Sequence, residues 1–259
     1  MRLGCGLAFV VLASLLSTSF AAAEDPEIAR RKAAERKTFT DAEIVDGFFK
    51  VTFGAEFHLA GRVDRIRKYD VPIRIYIDNR ANPNRTAEVA AVMADIAAHI
   101  GNLDIARAER REDANVVVTL VRDRDLARTI RALYGVNRAR RIQRSLEPQC
   151  LSGFRKDDSF RILHSDVLLV ADVADFVFYD CVYEELLQAL GPINDDASVP
   201  WSMFNDDVQM GFFGRYDQYI LNILYDPRIR PGMTPAQVRA LLPEVLPSVR
   251  AFVEGRSAR

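Results

Sequence analysis

Histidine and cysteine are scarce in this chain. Its 259 residues include three histidines, His58, His99 and His164, and three cysteines, Cys5, Cys150 and Cys181. A cysteine nucleophile therefore has few histidines to partner it, and neither Cys150 nor Cys181 stands in a nucleophile motif. An excess of one charge is lacking as well: 35 Lys and Arg face 36 Asp and Glu, a formal net charge of −1. That balance argues against nucleic acid as the main partner. Beyond the first two dozen residues no run is apolar enough to span a bilayer, which takes roughly 20 apolar residues.

What is present starts with a leader. Met1-Arg2 precede an apolar stretch from Leu3 to about Leu16, and small residues follow up to Ala21-Ala22-Ala23. This pattern predicts a secretory signal peptide over residues 1–23, cleaved after Ala23, and export to the periplasm or the extracellular medium. An uncleaved N-terminal anchor is the alternative. Cys5 does not follow the apolar run, as a lipoprotein acceptor cysteine should. Cleavage leaves Cys150 and Cys181, an even pair that predicts a disulfide in an oxidising compartment, with two buried thiols as the alternative. Closing that loop would stabilise the fold by about 3–4 kcal/mol.

Apolar content is ordinary for a globular protein, and the length after residue 23 suits one large domain or two small lobes. Residues 24–40 are charged and alanine-rich, a mobile or loosely helical lead-in. Residues 41–259 are expected to form one domain, with an upper lobe to about residue 191 and a lower lobe from 192. Ile44, Val45, Phe48 and Phe49 give 41–49 helical spacing, and 51–59 has extended character. Residues 73–78 alternate apolar and polar like a strand with one wetter face. Val89, Val92, Met93, Ile96 and Ile100 mark a helix over 86–100, closed by Gly101. A short strand is expected over 103–108. The run 114–121 (ANVVVTLV) suits a central buried strand. Residues 122–144 carry eight arginines against Asp123 and Asp125. They read as a solvated helical face, or as a basic surface for acidic polymers or anionic lipid. Residues 160–173 are strand-like, a helix is expected over 182–190 with Asp180 as N-cap, and further helices over 215–224 and 235–242, the last capped by Thr234.

The chemistry concentrates after Cys181. Glu184 and Gln188 are four apart and share a helix face. Gly191 permits a sharp turn, after which Asn194 can return toward that face. This layout resembles the metzincin motif HExxHxxGxxH, in which three histidines hold zinc and the glutamate is general base. Laid on it, Glu184, Gln188 and Asn194 take the ligand positions, Glu185 the catalytic glutamate and Gly191 the glycine. Asp195 matches an acid that follows the third ligand. Ser202-Met203 resembles the methionine turn, and the string from Asp217 to Tyr225 resembles the helix that follows it.

A closer likeness lies in longer strings: Cys181 to Gly191 with Asn194-Asp195, then Phe204-Asn205-Asp206-Asp207, then Leu224 to Met233. They resemble a bacterial family known as domain of unknown function 2927, grouped with zincin-like folds. The resemblance implies an α+β, zincin-like fold: a mixed, mostly parallel sheet with an upper-lobe helix, an active-site-type helix and a mainly irregular or helical C-terminal lobe. It implies structural roles for Gly191, Asp195, Met203 and Asp217, and no assigned activity.

Zinc prefers histidine nitrogen and thiolate sulfur. One carboxylate and two amides at Glu184, Gln188 and Asn194 are a poor set for it, and the three histidines lie outside the motif. The expectation is a zincin-fold pseudoenzyme without catalytic zinc, a binding module for a cell-envelope protein or peptide. One alternative is a hydrolase or peptidase using Glu185 as general base with a non-standard metal, or with none. Another is a domain stabilised by calcium or a similar oxygen-preferring cation, on a run that includes Asn205, Asp206 and Asp207.

Overall fold

The computed structural model describes residues 24–54, 64–145, 149–192 and 194–256. The expected signal peptide, Cys5, His58 and residues 55–59 lie outside them. At the centre is β3 (Val116–Val121), buried at every position. It lies between β1 (Ile73–Asn79) and β5 (Ile162–Val170), parallel to both. β2 (Ile105–Arg107) extends the sheet parallel to β1, and β4 (Cys150–Lys156) closes the other edge antiparallel to β5. The order is β2-β1-β3-β5-β4, a mostly parallel five-stranded sheet.

Alternation along the strands divides the core in two, because successive side chains leave opposite faces. Val167 and Leu169 of β5 join the large cluster, whereas Leu168 and Val170 join a second one. On the larger side lie α3 (Thr86–His99) and α5 (Asp175–Gln188), tied to each other by the Tyr183 hydroxyl, which donates to Asp95 at 2.9 Å. On the smaller side lies α4 (Asp123–Ser145), which seats Leu126, Ile130, Ala139 and Ile142 against Leu151, Leu168 and Val170. Gly135, at φ 74°, interrupts that helix. Helices α2 (Asp41–Thr52), α6 (Arg215–Leu224) and α7 (Pro235–Arg256) extend the larger cluster below the sheet. α7 runs well past the expected 235–242, through Pro243 and Pro247, from a start capped reciprocally by Thr234 and Gln237.

Several expectations are corrected. Of the two forms expected for the lead-in the helical one is found, as α1 (Pro26–Ala34), capped by Asp25 and anchored by buried Ile28. Val51 and Thr52 complete α2 instead of opening an extended segment. α5 begins at Asp175, so Asp180 is inside it and caps nothing at its start. The Asp180 carboxylate instead accepts the backbone N–H groups of Met210 and Gly211, at 2.6 and 2.9 Å. The early turns of α5 lie outside the expected helix: Phe176, Val177, Phe178 and Tyr179 are β-favouring residues, and packing overrides that preference.

Candidate functional site: an acidic cleft along the fifth helix

Residues Val177, Cys181, Glu184, Glu185 and Gln188 recur at helical spacing, so α5 turns one stripe toward a cleft of about 380 Å³. The opposite wall is edge strand β4 with its preceding residue: Gln149, Cys150, Leu151 and Ser152 line the cleft. The disulfide between Cys150 and Cys181 joins the two walls. Ile142 of α4 and the loop residues Asn205, Asp206, Val208 and Gln209 complete the lining.

After α5 the chain reverses at Gly191, whose φ is 139°. A Cβ there would stand 2.3 Å from the Arg67 carbonyl oxygen, so only glycine allows both the conformation and the close approach. The Tyr225 hydroxyl secures the turn by donating to the Leu190 carbonyl at 2.8 Å. The returning chain brings Asp195 to the cleft, with both carboxylate oxygens 3.3 Å from Gln188 Nε2.

Asn194 does not join it. Its side-chain amide donates to the Lys50 carbonyl at 2.8 Å, its backbone N–H goes to Val51 at 3.3 Å, and it lines a separate depression beside Gly54. The reason is local: Lys50 and Val51 lie in the last turn of α2, where carbonyls lack intrahelical partners. The structure thus brings Glu184, Glu185, Gln188 and Asp195 together and sets Asn194 apart. Asp206 arrives from the following loop. Carboxylate oxygens of Glu184, Asp195 and Asp206 all lie within 4.8 Å of one another.

Gln188 is engaged at both ends. Its carbonyl oxygen accepts from Ser152 Oγ at 3.3 Å, while its Nε2 faces Asp195 and Glu184. It therefore presents N–H donors, not a lone pair, to the acidic cluster. Burial first, and then the negative charges of Glu185, Asp195, Asp180 and Asp206, push the Glu184 carboxyl up to about 10. Burial and those charges favour the protonated form of Glu184, which can donate a hydrogen bond within the cleft. Glu185 lines the same cleft and is buried.

Beneath this layer, the fully buried Asp217 carboxylate accepts Ser202 Oγ at 2.5 Å and the Met203 N–H at 3.1 Å. It thereby fixes the turn that carries buried Met203. Neither His99 nor His164 lines the cleft: His99 sits beside Asp95 in α3, and His164 beside Asp166 in β5. Sequence reasoning missed Ser152, because β4 has too little alternation to read as a strand. It also missed Lys68, whose ammonium donates to the carbonyls of Leu224, Asp226 and Ile229 at 2.7, 3.3 and 2.8 Å. Desolvation lowers that lysine to about 8. The 224–233 string is thus the cradle of a buried lysine, and Arg228 within it pairs with Asp226.

One family model, described as Protein of unknown function (DUF2927), matches residues 41–244. No curated protein and no solved structure matches the chain.

Proposed function

This chain belongs to the DUF2927 family of proteins of unknown function, and we propose that it is a zincin-like pseudoenzyme, an exported binding module of the cell envelope. The observation that carries this reading is the state of the ligand positions. Asn194 is spent on the Lys50 carbonyl, and Gln188 turns its N–H groups toward the cluster while Ser152 occupies its oxygen. Only Glu184 is left as a possible donor among the three, and a single carboxylate does not fit the tetrahedral nitrogen and sulfur preference of zinc. The zincin-like architecture is supported by the strand–helix–strand–strand order above the cleft, the reversal at Gly191 and the Asp217-anchored turn at Met203. A cleft walled by an edge strand also suits an extended peptide partner, since β4 pairs with β5 alone among the described strands.

The test is metal content by mass spectrometry on residues 24–259, prepared without chelator or metal-affinity resin. Sub-stoichiometric zinc is expected; one tightly held equivalent overturns the reading. A pull-down from envelope extract, compared with Gln188→Arg to fill the cleft, then looks for a protein that only the unfilled cleft retains.

Two other readings each rest on one observation. Buried Glu185 in the cleft wall favours a hydrolase in which it takes a proton from water. Any hydrolysis that survives Glu185→Gln unchanged removes that reading. The oxygens of Glu184, Asp195 and Asp206 favour an oxygen-preferring cation such as calcium, which would draw the Glu184 carboxyl back to its ionised form. A melting temperature indifferent to calcium and to chelator removes that one.

A further inference from the structure

Helix α4 has a face for which the acidic cleft provides no use. Between Arg122 and Arg144 stand eight arginines and two aspartates, in a chain of net charge −1. Arg124, Arg128 and Arg131 follow one another at i, i+4 and i+7 and are all exposed, so they form a single outward stripe. Arg138 and Arg140 continue the exposed surface beyond Gly135. Asp125 pairs with Arg122 and Arg128. Among the described residues, Arg124, Arg131, Arg138 and Arg140 have no acidic partner; Arg138 only covers the Tyr134 ring, at 5.1 Å.

At the interruption of the helix the surface turns apolar. Leu133 is 38% exposed and Val136 54%, on either side of Gly135, where an added Cβ would meet nothing within 4 Å. The opposite face is fixed, with Leu126, Ile130, Ala139 and Ile142 packed on the sheet. The helix is therefore firmly seated: Leu133 continues the seated side of Leu126 and Ile130 to the break, and Val136, beyond it, is the bare apolar side chain between Arg131 and Arg138 in the sequence.

We infer that α4 seats this protein peripherally on an anionic lipid bilayer. Arginines would meet lipid phosphates while their apolar stems and exposed Val136 enter the interface. A soluble polyanion would satisfy the arginine charges but would gain nothing from exposed Val136 and the apolar arginine stems, and this favours the bilayer. No helix among the described residues is long and apolar enough to cross a membrane, and the association inferred is through the surface of α4. Ile142, on the same helix, lines the acidic cleft, so docking would hold the cleft beside the membrane. The inference does not depend on whether the cleft binds a peptide, a cation or a substrate.

The experiment is vesicle co-sedimentation of residues 24–259, which contain every described element and omit the apolar leader. Binding is expected to phosphatidylcholine vesicles containing phosphatidylglycerol, to weaken as salt rises, and to be absent with phosphatidylcholine alone. Each arginine removed should weaken binding about fivefold. The variant Arg124→Gln/Arg131→Gln/Arg138→Gln/Arg140→Gln should therefore stay in the supernatant. Val136→Ser should weaken vesicle binding and leave binding to polyphosphate unchanged. Equal binding to polyphosphate and no binding to anionic vesicles overturns the inference in favour of a polyanion surface. Vesicle binding indifferent to both variants overturns it outright. A readout that needs no comparison of variant folds is Val136→Trp with brominated phosphatidylglycerol: quenching beyond that of the parent, whose one tryptophan is Trp201, is expected, and its absence places α4 away from the bilayer.

Discussion

Replacing Asp217 by asparagine should remove a pH dependence of stability that this one carboxyl imposes. Asp217 has no exposed surface and accepts two hydrogen bonds, from Ser202 Oγ and the Met203 N–H. Burial raises it from 3.8 to about 7; those two donors act against the rise, and the charge of Glu35 adds to it. Because the folded value lies above the unfolded one, its stabilising contribution is full below about pH 4 and drains away as pH climbs to about 7. At about 1.36 kcal/mol per unit, the loss across that window is about 4 kcal/mol. Asparagine resembles the protonated acid in shape and does not titrate. Melts of parent and Asp217→Asn should coincide roughly at pH 4 and diverge by pH 8, with the variant gaining about 4 kcal/mol relative to the parent, or roughly 8–16 °C for a domain of this size. The other titrating groups are common to both proteins and cancel in the difference. Parallel curves from pH 4 to 8 would refute the reasoning, since they would mean that the buried carboxyl ionises without cost. Asp217→Ala is the contrasting perturbation: it orphans two buried donors, at about 1–3 kcal/mol each, at every pH.

The disulfide between Cys150 and Cys181 closes a loop of sequence separation 31, so reduction, or Cys150→Ser/Cys181→Ser, should cost about 3–4 kcal/mol in a denaturant titration. Because the bond joins the two walls of the cleft, hydrogen exchange should quicken first in β4. Gly191→Ala should destabilise by more than about 2 kcal/mol, through the strained φ and the collision with the Arg67 carbonyl; an unchanged midpoint would show that the turn relaxes freely. Lys68→Met should cost at least about 3 kcal/mol, since three carbonyls lose a charged donor, and a loss under about 1 kcal/mol would show that water replaces the ammonium.

Parts of this architecture were plain in the residue pattern. The β-branched run 116–121 became the central strand, and the apolar spacing after Thr86 became α3. The separation of Glu184 and Gln188 put both on one helix face, as helical geometry requires. β4 was not legible, because CLSGFRK lacks regular alternation and owes its place to pairing with β5. The start of α5 was hidden by its β-favouring aromatics, and the continuation of α7 by two prolines.

The site divides along the same line. Sequence by itself determined that Glu184, Glu185 and Gln188 share a stripe, that Gly191 reverses the chain, and that an acid or amide follows. Those are properties of local backbone geometry, set within a few residues. Only the tertiary structure decided that Asn194 turns to the Lys50 carbonyl while Asp195 takes the cleft, that Asp206 joins, and that Ser152 claims the oxygen of Gln188. It also decided that Lys68 is held by carbonyls more than 150 positions away. These choices depend on which unsatisfied donors and acceptors meet once distant segments pack, and a buried polar group must find its partner there or bear the cost of desolvation.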